Sequence, residues 1–186
     1  MKKNIGTVCV HGKNERKDTD KTGAVSFPIY QSATFVHPAF GETTGYDYSR
    51  LQNPTREEVE RIVNDLEEGV DAIAFSTGMA ALTVLLEILA PGDNIVSTDD
   101  LYGGTIRLME NVLSKNGITT TFVETDNIKN IENVITKNTK MIYIETPTNP
   151  MMKVSDIYEI SKIAKKNNCI LVVDNTFLTP YFQKPL

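Results

Sequence analysis

The chain has 186 residues, of which 40% are hydrophobic and 23% charged, a composition sufficient for one sizeable core. Nineteen basic residues against 24 acidic ones give a net charge of −5, so a basic surface for nucleic acid is not expected. No apolar run approaches 18 residues, which argues against a membrane span or a signal peptide, and Cys9 and Cys169 lack the spacing of metal ligands. We therefore expect a cytoplasmic protein without a metal, whose two thiols are reduced and buried.

The first part of the chain predicts an extended arm. Residues 1–50 show little helical period and are rich in Lys, Thr, Gly and Pro, so they cannot form a core alone. We predict that residues 1–52 form an ordered arm at a subunit interface and that residues 53–186 form an α/β domain. A helix opens that domain, with Asn53 as its N-cap, Pro54 at its first position and Gly69 at its end.

Strands and helices alternate after this helix. Apolar runs predict strands at 72–76, 94–98, 119–124, 140–145 and 169–174, and helical periodicity appears at 79–90, 106–113, 128–135 and 157–164. Strands separated by helices indicate a mostly parallel, doubly wound sheet with helices on both faces. Ligands of such sheets bind outside the carboxyl ends of the strands, so the turns that follow the strands are the candidate binding residues.

Two of these turns suit a phosphate and a flat ring. Ser76, Thr77 and Gly78 lead from a strand into a helix, where free amides and the helix dipole favour an anion. Tyr102 is followed by two glycines, which would let a flat ligand approach the backbone beside the aromatic ring. Each turn also has an ordinary structural explanation, as a capped helix start and as a half-buried tyrosine.

Two further turns carry polar side chains. A loop stiffened by Pro147 and Pro150 presents Asn149, which could equally make a local side-chain turn. Asp174 ends a fully apolar strand, and a carboxylate in that place needs a cation or several donors. The partner could be a lysine or helix cap within the domain, or the protonated ring nitrogen of a pyridine cofactor.

A fifth candidate site lies in the arm. Tyr48 and Arg50 stand two residues apart in an extended segment, so their side chains share one side. A phenolic hydroxyl with a guanidinium can bind a phosphate or carboxylate, although an exposed arginine is usually only solvated.

Five stretches together resemble a known family: YSRLQNPTREEVE, STGMAA, LYGGT, IETPTNP and VVDNTFLTPYFQKPL. They are similar to the pyridoxal-phosphate enzymes of trans-sulfuration, the cystathionine γ-synthases and cystathionine lyases, and the resemblance runs in order along nearly the whole chain. Such enzymes are about twice as long, so we expect the chain to match their amino-terminal half and to have a truncated fold of the aspartate-aminotransferase type.

The resemblance implies roles for individual residues. It implies that the pyridoxal 5'-phosphate cofactor is bound by Tyr48, Arg50, Ser76, Gly78, Met79, Tyr102, Asn149, Asp174 and Thr176. It implies substrate contacts from Arg50, Tyr102 and Arg107, with Tyr102 catalytic. Tyr48 and Arg50 would reach the phosphate bound by the neighbouring subunit, so the resemblance implies a homo-oligomer of the tetramer-of-dimers type.

The resemblance also bears on activity. In the family the lysine that binds the cofactor covalently follows the matching aspartate, and none of this chain's lysines stands in its place. We expect a parent enzyme that eliminates or replaces a β- or γ-substituent of cystathionine, homocysteine or O-acyl-homoserine, and an inactive 186-residue chain. Methionine γ-lyase, which has a cysteine where this chain has Gly104, and O-acetylhomoserine sulfhydrylase are alternative parents. A non-catalytic module for cofactor or subunit binding, or an unrelated phosphate-binding domain, remains a further alternative.

Overall fold

The computed structural model describes residues 3–13 and 24–186. It divides the chain into two compact units, the first running to Ala74 together with Leu186 and the second comprising Phe75–Pro185. Within the described ranges, no helix has both the length and the apolar character needed to cross a membrane.

The first unit contains a helix that the sequence analysis did not predict. Helix α1 (Ile5–His11) is seven residues long and is capped by the side chain of Asn4. Residues 24–52 are largely irregular, with one isolated antiparallel bridge between Thr34 and Tyr48. A seven-residue helix with a single buried residue leaves too little periodicity to detect. The interface role of residues 1–52 stays a prediction.

Helix α2 (Pro54–Glu67) begins as predicted and ends differently. The Asn53 side chain accepts a hydrogen bond from the first turn, and Pro54 takes the first helical position, where its missing N–H costs nothing. The helix ends at Glu67, two residues before the predicted stop at Gly69, and Glu68 has left-handed backbone at φ 63°. The Gly69 amide instead donates to the carbonyl of Asn64 at 3.2 Å, which closes the helix.

The second unit is a parallel sheet. Its four strands are β1 (Asn94–Thr98), β2 (Thr119–Val123), β3 (Thr139–Glu145) and β4 (Ile170–Asp174), in the order β2-β1-β3-β4. The helices that follow α2 are α3 (Gly78–Leu86), α4 (Gly103–Asn111), α5 (Ile128–Val134), α6 (Ile157–Lys166) and α7 (Thr179–Phe182), with a 3₁₀ helix at Leu113–Asn116.

Helices cover both faces of this sheet. One core joins α3 and α4 to residues such as Ile95 and Met141, which are fully buried. The other joins α5 and α6 to Val96, Ile142 and Ile144, which are also fully buried. Each such side chain contributes about 1.5–3 kcal/mol of transfer free energy to folding. The predicted doubly wound α/β class is confirmed.

The predicted strand at 72–76 is absent, so the described sheet has four strands and not five. Within this segment the amide of Ala72 donates to Asp71 Oδ1 and that of Ala74 to Glu60 Oε1, both at 2.8 Å. An apolar run forms a strand only where a neighbouring strand supplies its hydrogen bonds, and side-chain carboxylates take that place in this segment.

Candidate functional site

The second unit has a cavity of about 350 Å³, within the range typical of small-molecule sites. It opens at the carboxyl ends of β3 and β4 and at the start of α3 and α4. Six residues that the sequence analysis selected line it: Gly78, Met79, Tyr102, Asn149, Asp174 and Thr176. The fold therefore brings together turns that lie up to almost 100 residues apart in the sequence.

The start of α3 offers two free donors to this cavity. Thr77 caps the helix, because its hydroxyl accepts from the Ala80 amide at 3.0 Å and its carbonyl from the Ala81 amide at 3.1 Å. The preceding amides, of Gly78 and Met79, have no acceptor among the described residues. A side chain at Gly78 would meet nothing within 4 Å, so the space over these amides is open. Two free N–H groups at a helix start form a site for an anion.

Tyr102 provides an aromatic ring beside that anion site. Its amide donates to Glu145 Oε2 at 3.0 Å, which fixes the turn before α4, and half of its surface is exposed. A Cβ at Gly104 would lie 2.4 Å from Tyr102 Cε1 and 3.0 Å from Met79 Sδ. Glycine is therefore required at position 104 for the ring to keep its place. The expected open space for a ligand over this glycine is occupied by the tyrosine ring itself.

The Asp174 carboxylate already accepts hydrogen bonds at most of its acceptor positions. Its Oδ1 accepts from the Thr176 amide at 3.1 Å and the Thr176 hydroxyl at 2.5 Å, and its Oδ2 accepts from the Tyr143 hydroxyl at 3.0 Å. Burial and the charge of Asp174 raise the pKa of Tyr143, so this hydroxyl stays protonated. A carboxylate has about four acceptor positions, which leaves about one for a further donor from the cavity.

The loop that presents Asn149 is fixed by hydrogen bonds to Asp100. The Thr148 hydroxyl donates to Asp100 Oδ2 at 2.5 Å, and the Met151 amide donates to the same oxygen at 2.9 Å. The Lys153 amide in turn donates to the Thr148 hydroxyl at 2.9 Å. Asn149 is thus placed at the cavity by a loop with little freedom to move.

Glu145 links the end of β3 to the turn before α4, because it accepts the hydrogen bond of the Tyr102 amide. Burial and the charges of Asp174 and Asp100 raise the pKa of Glu145, whereas the Tyr102 amide acts against that rise. Glu145 belongs to the candidate turn IETPTNP, but the sequence analysis assigned it no role. One sequence signal could have done so: Glu145 ends a predicted strand, as Asp174 does.

Four selected residues do not line the cavity. Ser76 and Arg107 are exposed in the second unit, outside the lining. Tyr48 and Arg50 belong to the first unit, where the Arg50 guanidinium carbon lies 4.5 Å from the centre of the Tyr48 ring. The roles of these four residues stay predictions. Thr77, which the sequence analysis placed in the phosphate turn without a role of its own, lines the cavity, as does Thr105, which was not selected.

The two cysteines are free, as expected, but the predicted burial is wrong for Cys9. Cys9 is exposed because the buried position of α1 is occupied by Val8, and Cys169 is half-buried. Among the described residues, no group of three or more His, Cys, Asp or Glu side chains is arranged to hold a metal ion.

Comparison with known proteins identifies the family of this arrangement. The family model described as "Cys/Met metabolism PLP-dependent enzyme" matches residues 6–186. The chain belongs to this family. Cystathionine gamma-lyase of Bacillus subtilis (strain 168) is 51% identical over 180 residues, which cover 97% of this chain and 47% of that protein. Cystathionine beta-lyase of Lactococcus lactis subsp. cremoris (strain MG1363) is 47% identical over 183 residues, or 98% of this chain and 47% of that protein.

Solved structures give the same result. The structure of cystathionine gamma-lyase from Lactobacillus plantarum complexed with L-serine matches with a TM-score of 0.91 and 42% identity, over 98% of this chain and 47% of that one. The chain spans about half the length of the curated relatives it matches. Pyridoxal phosphate is the cofactor of this family.

The residues of the cavity fit that cofactor. The two free amides of Gly78 and Met79 suit its phosphate, and the Tyr102 ring suits its flat pyridine ring. The remaining acceptor position of Asp174 suits one protonated ring nitrogen, whereas a ligand with several donors there would exceed it.

Proposed function

We propose that this chain forms the cofactor-binding part of a trans-sulfuration enzyme, which eliminates or replaces a β- or γ-substituent of a sulfur-containing or homoserine-derived amino acid. Cystathionine, homocysteine and O-acyl-homoserine are the proposed substrates. The observation that carries the proposal is the Asp174 carboxylate, held by three donors and facing the cavity. When bound, the cofactor serves as the electron sink for charge that develops at the substrate α-carbon.

Each cavity residue has one task in this proposal. The amides of Gly78 and Met79 bind the phosphate, and Asn149 donates to the ring hydroxyl. Asp174 keeps the ring nitrogen protonated, because a fixed anion favours the protonated form of its partner. Tyr102 stacks on the ring, and as a half-exposed tyrosine at the cavity it is our candidate catalytic residue.

Further roles rest on the family resemblance. We propose that Tyr48 and Arg50 reach the phosphate of a neighbouring subunit in a homo-oligomer, and that Arg50 and Arg107 contact the substrate. In the whole enzyme that contains this chain, mixing a Tyr48→Phe variant with an Asp174→Ala variant should then restore some activity through hybrid sites. We also propose a cytoplasmic location, in keeping with two free thiols.

A second function is favoured by one observation. No lysine of the described residues lines the cavity, so these residues offer no amine for covalent attachment of the cofactor. We therefore expect the 186-residue chain on its own to bind the cofactor without turnover, as a non-catalytic module would. Turnover by the purified chain, abolished in the Asp174→Ala variant, would contradict this expectation.

Product analysis of the whole enzyme that contains this chain, with the cofactor bound, tests the main proposal. With cystathionine, homocysteine and O-acetylhomoserine as separate substrates, we expect thiol or α-keto acid release from at least one of them. Asp174→Ala should abolish release, whereas Asp126→Ala, which changes an exposed aspartate outside the cavity, should leave it intact. Equal loss in both variants, or no release from any substrate, would contradict the proposal.

A further inference from the structure

We propose that Tyr143 is a positioning residue for the cofactor, because its buried hydroxyl fixes the orientation of the Asp174 carboxylate through Oδ2. The inference rests on the proposed function, which assigns Asp174 to the ring nitrogen. Tyr143 does not line the cavity, so it would act on the cofactor only through Asp174.

The register of the sheet explains how the hydroxyl reaches its target. In the parallel pair of β3 and β4, Tyr143 is paired with Val172, and Glu145 with Asp174. Tyr143 therefore stands two residues before the level of the aspartate, and its long side chain spans that interval to place the hydroxyl 3.0 Å from Oδ2. A shorter polar side chain at this position would not reach the carboxylate.

The three donors to Asp174 are not equivalent. Two come from Thr176, an exposed residue of the same turn, and they would move with the carboxylate if the turn shifted. Tyr143 instead belongs to the sheet, is only 2% exposed and packs in the core formed with α3 and α4. It is therefore the donor that holds the carboxylate in a fixed position relative to the sheet.

The surroundings of the tyrosine keep it a donor. Burial, followed by the charges of Asp174 and Glu145 and the hydrogen bond to Asp174, raises the pKa of Tyr143. The phenol consequently stays protonated at any pH at which a cytoplasmic enzyme works, and Oδ2 always has its donor. Loss of the hydroxyl would leave the carboxylate free to turn away from the cavity.

The test compares cofactor binding and absorption in variants of the holoprotein. Tyr143→Phe keeps the ring in the core and removes only the hydroxyl, and we expect its pyridoxal-phosphate dissociation constant to rise about tenfold, or about 1.4 kcal/mol. The absorption maximum of the bound cofactor should shift as well. Tyr158→Phe is the matched control: this tyrosine is 69% exposed on α6, and its change should leave both readouts unaltered.

A double-mutant cycle separates positioning from packing. If Tyr143 acts through Asp174, adding Tyr143→Phe to an Asp174→Ala variant should change the dissociation constant less than about twofold. If the tyrosine serves only the core, Tyr143→Phe lowers the melting temperature of the apoprotein, but affinity and spectrum stay at the wild-type values. That result, or an undiminished effect in the Asp174→Ala background, overturns the inference.

A second substitution tests the inference if the Tyr143→Phe variant does not fold. Incorporation of 4-aminophenylalanine at position 143 keeps a hydrogen donor at nearly the same place, so it should bind the cofactor within about threefold of the wild type. A rise of about tenfold or more in the dissociation constant of this folded variant overturns the inference while leaving wild-type binding, and hence the proposed function, intact. Failure of the wild-type protein to bind pyridoxal phosphate overturns both the inference and the proposed function.

Discussion

Gly104→Ala should weaken cofactor binding without destabilising the fold. The added Cβ would lie 2.4 Å from Cε1 and 3.0 Å from Cδ1 of the Tyr102 ring, which is far closer than van der Waals contact allows. Half of this ring is exposed, so it can rotate towards solvent instead of straining the core. The stacking surface would then be lost from the cavity while α4 remains in place.

The size of the effect follows from two opposing terms. Replacing glycine by alanine within a helix stabilises the helix by up to about 1 kcal/mol. This gain offsets the cost of moving an exposed ring. Stacking of aromatic rings contributes about 0.5–1.5 kcal/mol beyond buried area, so losing it should raise the pyridoxal-phosphate dissociation constant by about twofold to tenfold. Melting temperature should stay equal to that of the wild type or rise slightly.

Gly103→Ala is the control for this experiment. A Cβ at that position would lie 3.3 Å from Arg107 Nη1, the end of a flexible side chain that can move aside. Equilibrium dialysis with pyridoxal phosphate measures both variants, and differential scanning calorimetry measures their stability. Equal affinities for Gly103→Ala and Gly104→Ala would refute the argument that Gly104 makes room for Tyr102.

Three further predictions concern stability. Glu145→Ala removes the acceptor of the Tyr102 amide and should lower the free energy of unfolding by about 1–2 kcal/mol, whereas Glu145→Gln retains an oxygen and should cost less than half of that. Urea titration measures both, and equal losses would contradict the role of the acceptor. Gly12→Ala should cost about 1–2 kcal/mol because Gly12 has φ 71°, while Gly6→Ala in α1, where a Cβ meets only an ordinary 3.5 Å contact, should not destabilise. A melting temperature equal in these two variants would count against the strain at position 12. Burial and the hydrogen bond to Glu57 raise the pKa of Tyr46 from 10.0 to about 12, so this stabilisation is complete below pH 10 and is lost as the pH rises towards 12. The stability difference between wild type and Tyr46→Phe should therefore shrink over that interval, and a constant difference would contradict the assignment.

The elements with strong local signals could be predicted from the sequence. Strands β1 and β3 contain short apolar runs at their centres, bounded by polar residues, and they form within one residue of the expected limits. The cap and the proline that begin α2 were equally clear, because each satisfies a requirement of the first helical turn by itself. Asp174 could be selected because it follows an uninterrupted apolar run, although β4, at the edge of the sheet, is only partly buried.

Features that depend on distant partners could not be predicted in this way. The segment 72–76 has the composition of a strand, but its amides donate to carboxylates and not to a neighbouring strand. Tyr143 reads as one more apolar position of β3, and only the register with β4 shows that its hydroxyl reaches an aspartate 31 residues later. Glu145 lies in a recognised motif, yet its contact with Tyr102 spans 43 residues of sequence.

Amide mapping by NMR tests the central claim most directly. On addition of pyridoxal phosphate to the nitrogen-15-labelled chain, we predict that the largest shifts occur at the amides of Gly78, Met79 and Thr176, with binding measurably weakened in the Asp174→Ala variant. Those amides face one cavity in the second unit and include the two without an acceptor. Saturable binding whose shifts fall on residues outside this cavity, or that survives unchanged in Asp174→Ala, would contradict the account.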